Sequence, residues 1–122
     1  APLRMTNLQR WWWRVGFLAP LGMTKNMDIA DWRKRIDEID PQIVRLLNER
    51  AVAAAEIGKI KRNSDMPVRE HHREREVLRN ISRSNKGPLS STDLHYIFES
   101  IMDIMRNIQK SEIVAEDQDS IE

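Results

Sequence analysis

From Asp28 onward the apolar residues Ile29, Trp32, Ile36, Ile39, Ile43, Leu46, Leu47, Ala54, Ile57 and Ile60 recur at intervals of three and four. That spacing predicts one long amphipathic helix. Asp28 or Asp31 can cap its start, and Asn63-Ser64-Asp65-Met66-Pro67 supplies turn formers and a residue that cannot continue it. At 1.5 Å per residue the helix would be about 50 Å long. Pro41 interrupts the pattern, because an interior proline removes a backbone hydrogen bond; a kink is expected there, with a break as the alternative.

A second helix is predicted from about Val68 to Arg83, with Val77, Leu78 and Ile81 as its buried stripe, ended by Asn85-Lys86-Gly87-Pro88. Ser90 or Ser91 then caps a third helix carrying Leu94, Ile97, Phe98, Ile101, Met102, Ile104, Met105 and Ile108. From Ser111 the chain becomes an acidic tail that is expected to fray. The fold class is therefore all-α, with one very long, one short and one medium helix. Two shorter helices cannot cover a stripe 50 Å long, so self-association is expected. Plain core packing accounts for nearly all of the apolar positions.

Composition narrows the picture. The 122 residues suit one domain, and 20 Lys+Arg against 19 Asp+Glu leave a net charge of +1, so there is no global field to gather nucleic acid or an acidic membrane. Anion binding must come from local clusters. Cysteine is absent, which removes disulfides, thiol nucleophiles and Cys-based metal sites and makes the cytoplasm the default location. No stretch approaches the roughly 18 apolar residues a membrane helix needs.

Residues 1–26 stand apart, with Trp11-Trp12-Trp13 between Arg10 and Arg14. A basic start and a short apolar run resemble a signal peptide, but Arg14 interrupts the apolar core. The segment is read instead as a disordered or non-native extension before a start at Met23 or Met27, or as tryptophans that dock on a partner.

The polar residues near the apolar faces carry the chemistry. Lys61 follows Arg50 by eleven residues, three turns, which returns it to within about 20° of the same face. Both can lean toward one anion. Arg33 lies seventeen residues before Arg50, roughly 25 Å along the axis, and cannot reach the same small ligand within one chain unless the helix bends sharply. Pro67-Val68-Arg69-Glu70-His71-His72-Arg73-Glu74-Arg75-Glu76 places Arg69 with Arg73, and Glu70 with Glu74, at i,i+4. Alone, such a run is a solvated, salt-bridged face. His71 and His72 are adjacent and diverge around a helix, so they form no metal pair; they and His95 are expected on helix surfaces.

Taken in order, several segments resemble the all-helical, AroQ-type chorismate mutases, including the mutase domain of bifunctional prephenate dehydratases. They are Trp32-Arg33-x-x-Ile36-Asp37-x-Ile39-Asp40, Leu46-Leu47-Asn48-Glu49-Arg50, Ile57-Gly58-Lys59-Ile60-Lys61, Pro67-Val68-Arg69-Glu70-x-x-Arg73-Glu74, and Ile97-Phe98 with Gln109 eleven residues beyond the Phe. The resemblance covers residues 28–110 and implies a mutase domain over 27–110, in an intertwined homodimer that rearranges chorismate to prephenate for phenylalanine and tyrosine biosynthesis, with no cofactor.

It implies that Arg33 of one protomer, with Arg50, Lys61 and Arg73 of the other, holds the two carboxylates of chorismate. Lys61 and Gln109 match the donors to the ether oxygen whose bond breaks. Glu74 matches the acceptor of the substrate hydroxyl, and Glu70 stands where the family often has Asp. Met105 falls where some members place a Ser that touches a carboxylate, so that contact is either missing or made by another group. An isochorismate pyruvate-lyase on the same scaffold and a non-catalytic helical dimerisation or regulatory module are the alternatives. A nucleic-acid-binding bundle is disfavoured by interleaved acids.

Overall fold

In a computed structural model of the protein, residues 26–119 are described, and they form three helices: α1 (Ile29–Arg62), α2 (His71–Ser84) and α3 (Ser91–Asp119). The readings of the tryptophan-rich start fall, but for Asn26, outside the described residues. Among those described, there is no strand.

Asp28 caps α1, and Asp31 completes a capping box. The Asp28 carboxylate accepts the Asp31 backbone N–H at 2.9 Å while the Asp31 carboxylate accepts the Asp28 N–H at 3.1 Å. α1 runs unbroken through Pro41 for 34 residues. Pro41 and Asp37, whose carbonyl loses its helical partner, are both exposed, so water can satisfy the orphaned oxygen. The helix stops at Arg62, where Asn63 caps it and the Ser64 N–H returns to the Lys61 carbonyl at 3.0 Å.

α2 begins at His71, three residues later than the pattern predicts. The chain between α1 and α2 is an extended strap, and Glu70 still has extended backbone (φ −113°, ψ 96°). Within the strap the Val68 carbonyl is taken by the Lys61 ammonium at 3.1 Å rather than by a helical N–H. After α2, Gly87 has φ 77°, a turn conformation that favours glycine, and its N–H is held by the Asn85 side chain at 2.9 Å. Ser90 is the residue that caps α3, accepting the Asp93 N–H at 3.1 Å.

α3 is the element against which both other helices pack. Ala54, Met102 and Met105 form the buried core. α1 and α3 approach closely at Gly58, where a Cβ would lie 2.9 Å from the Gln109 Cα and 3.1 Å from the Glu112 Cβ. The expected fraying from Ser111 is not what the structure shows: α3 continues to Asp119. Arg62 donates to the Glu112 carbonyl and pairs with its carboxylate at 3.5 Å, which ties that turn to the end of α1. His95 also departs from expectation. It is half-buried and hydrogen-bonded to the Ser82 hydroxyl at 2.7 Å, where α2 meets α3. His71 and His72 are exposed as expected.

Toward the start of α1 the apolar stripe is uncovered within the chain. Ile36, Ile43 and Leu46 are each about half exposed.

Candidate active site

Each helix contributes one face to a cavity of about 420 Å³. From α1 come Arg50, Ala54, Ile57 and Lys61, spaced four, three and four residues apart and therefore stacked on one side. α2 and the strap before it provide Glu70, Arg73, Glu74 and Val77. α3 provides Met102, Met105, Arg106 and Gln109. The structure thus brings Arg50, Lys61, Glu70, Arg73, Glu74, Met105 and Gln109 together. It leaves Arg33 out, exposed on the far part of α1.

Lys61 is the centre of the arrangement. Its side chain is only 2 % exposed, and a buried ammonium must be paired to be tolerated. Its Nζ donates to the Val68 carbonyl and to Gln109 Oε1, each at 3.1 Å, and the Glu70 carboxylate lies 3.1 Å away. Because Gln109 spends its oxygen on Lys61, its NH2 is left as the free end of the amide, with no acceptor among the described residues. An ammonium and an amide donor therefore sit side by side on the cavity wall.

Arg50 is half-buried and has no hydrogen-bond or ion-pair partner among the described residues. Desolvation, and then the like charge of Arg73, hold its guanidinium below the usual arginine range. Both guanidinium groups line the same cavity. Arg73 itself is exposed and pairs with Glu76 at 2.7 Å.

Glu74 is more enclosed than the sequence suggests. Arg106 donates to one carboxylate oxygen, and Arg69 Nε is 3.4 Å from the other. Met105 is buried and presents only an apolar side chain to the cavity. Arg106 is the residue that spacing could have revealed, since it lies one turn from both Met102 and Gln109. Its pairing with Glu74 is a tertiary contact, and no periodicity shows that.

Four cations line the cavity (Arg50, Lys61, Arg73, Arg106) against two carboxylates (Glu70, Glu74); Arg73 also pairs with Glu76 and Arg106 with Asp103 outside it, so that Arg50 is the lining cation without an ion-pair partner among the described residues. The cavity therefore favours a small anion. Among the described residues no group of His, Cys, Asp or Glu is placed to hold a metal ion, and no helix is long and apolar enough to cross a membrane.

A three-helix scaffold with a cationic, amide-bearing pocket is the class that fold and site define. Residues 32–110 match the family described as chorismate mutase type II. The bifunctional chorismate mutase/prephenate dehydratase of Aquifex aeolicus is 38 % identical over 92 residues, which cover 72 % of this chain and 25 % of that protein. That of Neisseria gonorrhoeae is 44 % identical over 70 residues, 57 % of this chain and 19 % of its own length. The chorismate mutase of Methanocaldococcus jannaschii is 34 % identical over 55 residues, 45 % of this chain and 56 % of its own. The chain belongs to the chorismate mutase type II family. It spans about a quarter or less of the length of the bifunctional relatives it matches.

Proposed function

We propose that this chain is a chorismate mutase, catalysing the rearrangement of chorismate to prephenate, and that residues 27–110 form its catalytic domain. The observation that carries this reading is the pair Lys61 and Gln109, 3.1 Å apart on the wall of a cavity that the unpaired Arg50 also lines. In this rearrangement one C–O bond breaks as one C–C bond forms within the same molecule, so no nucleophile, metal or redox group is consumed.

The protein's task is to hold a flexible dianion in its compact reactive conformer. Arg50 and Arg73 clamp carboxylates, for which the planar guanidinium fork is suited. Negative charge grows on the ether oxygen as its bond lengthens, and Lys61 with the NH2 of Gln109 stabilises it from fixed positions. Glu74 accepts a hydrogen bond from the substrate hydroxyl, and the Glu70 carboxylate, 3.1 Å from Lys61 Nζ, pairs with that buried ammonium. Met105 offers no polar contact.

The site is completed by a second copy of the chain. The half-exposed Ile36, Ile43 and Leu46 supply an apolar surface for an intertwined homodimer, and Arg33 of the partner protomer enters the cavity it cannot reach in cis. The reaction places the enzyme in aromatic amino-acid biosynthesis, and the cytoplasm is its default location. The test is loss of chorismate absorbance with purified protein, with isochorismate assayed in parallel. Turnover of chorismate to prephenate is expected. Binding without turnover would instead indicate a regulatory module, and release of pyruvate from isochorismate a lyase.

A further inference from the structure

Arg106 lines the cavity but has no assigned task. Its guanidinium bridges two carboxylates, donating one Nη to Glu74 Oε1 and the other to Asp103 Oδ1 at 3.1 Å. The Arg106 and Glu74 side chains are 18 % and 19 % exposed, while Asp103 is largely in solvent. The second cation near Glu74, Arg69, is 57 % exposed on the strap, with its Nε 3.4 Å from Oε2. Glu74 therefore has one fixed, enclosed partner and one loose, solvated partner.

We propose that Arg106 is a positioning residue that fixes the Glu74 carboxylate in the orientation in which it accepts the substrate hydroxyl, acting through Glu74 and not on the substrate's carboxylates. The inference rests on the mutase reading above. An ionised carboxylate offers about four lone-pair sites, so the bond to Arg106 leaves acceptors for a hydroxyl. A glutamate freed of that bond can rotate about its three torsions and turn its acceptor oxygen away from the substrate hydroxyl. Arg fits this role better than Lys, because its planar fork offers Glu74 and Asp103 separate Nη donors at once. The position also bears on Met105, one residue earlier, whose thioether cannot donate to a carboxylate. Were Arg106 to supply that donor in its place, it would act on the substrate directly, independently of Glu74.

The experiment is a double-mutant cycle with the full chain, measuring kcat and KM for chorismate in wild type, Arg106→Met, Glu74→Gln and the double variant, together with the affinity of a competitive inhibitor lacking the hydroxyl. A hydrogen bond made alike in the ground and transition states acts through KM, so Arg106→Met is expected to raise KM about tenfold with a smaller change in kcat. The double variant should be no worse than Glu74→Gln alone. The inhibitor without the hydroxyl should bind wild type and Arg106→Met equally. Additive losses, or weakened binding of that inhibitor, would overturn the proposal in favour of direct contact with a carboxylate, and an unchanged KM would overturn it outright. Arg106→Lys, which keeps the charge and loses the fork, should fall between wild type and Met; it carries the same test if the Met variant fails to fold. A wild-type chain with no turnover removes the mutase reading and this role together, whereas the outcomes above arise only with an active wild type.

Discussion

Replacing Gly58 with alanine separates the packing of the fold from the geometry of the site. Gly58 lies at a close approach of α1 and α3, and the added Cβ would sit 2.9 Å from the Gln109 Cα and 3.0 Å from its carbonyl oxygen. Ordinary carbon–carbon contact is about 3.5–4.0 Å, so the α3 backbone must retreat by roughly 0.6–1 Å. Both crowding atoms are main chain, which no rotamer change can move. Overpacking of this kind costs about 1–3 kcal/mol, and alanine returns about 1 kcal/mol through its better helix propensity.

The net loss of stability is thus small, on the order of 1 kcal/mol. The effect on activity is larger, because the residue pushed away is Gln109 itself. Its amide oxygen is 3.1 Å from Lys61 Nζ, and a shift of that size takes the contact past hydrogen-bonding distance. Misplacing a catalytic group by about 1 Å can cost about a hundredfold in rate. Urea unfolding and chorismate turnover on the same preparation read the two effects separately, and Gly58→Val should worsen both. If Gly58→Ala were about 1 kcal/mol more stable than wild type and equally active, propensity alone would be at work. The helix contact would then not hold the site's geometry.

Other expectations follow from the same residues. Gln109→Glu should confine activity to acid pH, because only a protonated carboxyl can replace the amide donor; equal rates of wild type and variant at pH 8 would contradict that role. Arg50→Ala or Lys61→Ala should each cost on the order of 3–5 kcal/mol in kcat/KM, a factor of several hundred or more, and near wild-type rates in both would remove the proposed site. Mixing Arg33→Ala with Lys61→Ala protein, after unfolding and refolding together, should restore about a quarter of wild-type activity, since half of the dimers are mixed and each mixed dimer rebuilds one of two shared sites. A mixture as inactive as its components would mean that Arg33 does not act in trans. The Asp28 carboxyl is held below the ordinary aspartate range, chiefly by the Asp31 backbone N–H. Its contribution to α1 is therefore present above that range and lost as the pH falls through the lowered value. Exchange of the Asp31 amide should accelerate there, and in Asp28→Asn this acid step should be absent, because Asn caps without titrating.

The helices were legible because their signals are local. Three- and four-residue spacing marked the apolar faces, and the pairs Asp28/Asp31 and Ser90/Ser91 bracketed where two helices begin. Eleven residues between Arg50 and Lys61 were enough to put both on one face, since helix geometry depends on nothing outside the helix. Boundaries set by contacts were less accessible. α2 starts late because the strap before it gives its Val68 carbonyl to Lys61. α3 runs past Ser111, and Arg62, fifty residues earlier in the chain, holds its extension. His95 looks like a surface residue until Ser82 comes within 2.7 Å of it.

The cavity followed the same division. The cations and the amide were nameable from the chain and its family resemblance, but which of them would be buried, paired or free was not. Only the meeting of α1 with α3 leaves Lys61 enclosed, turns the Gln109 oxygen toward it and frees the NH2. Only the packing of α2 on α3 brings Arg106 to Glu74. Periodicity along one chain determines the face on which a side chain stands. What that side chain meets is decided by how closely two such faces approach, and here a glycine sets that distance.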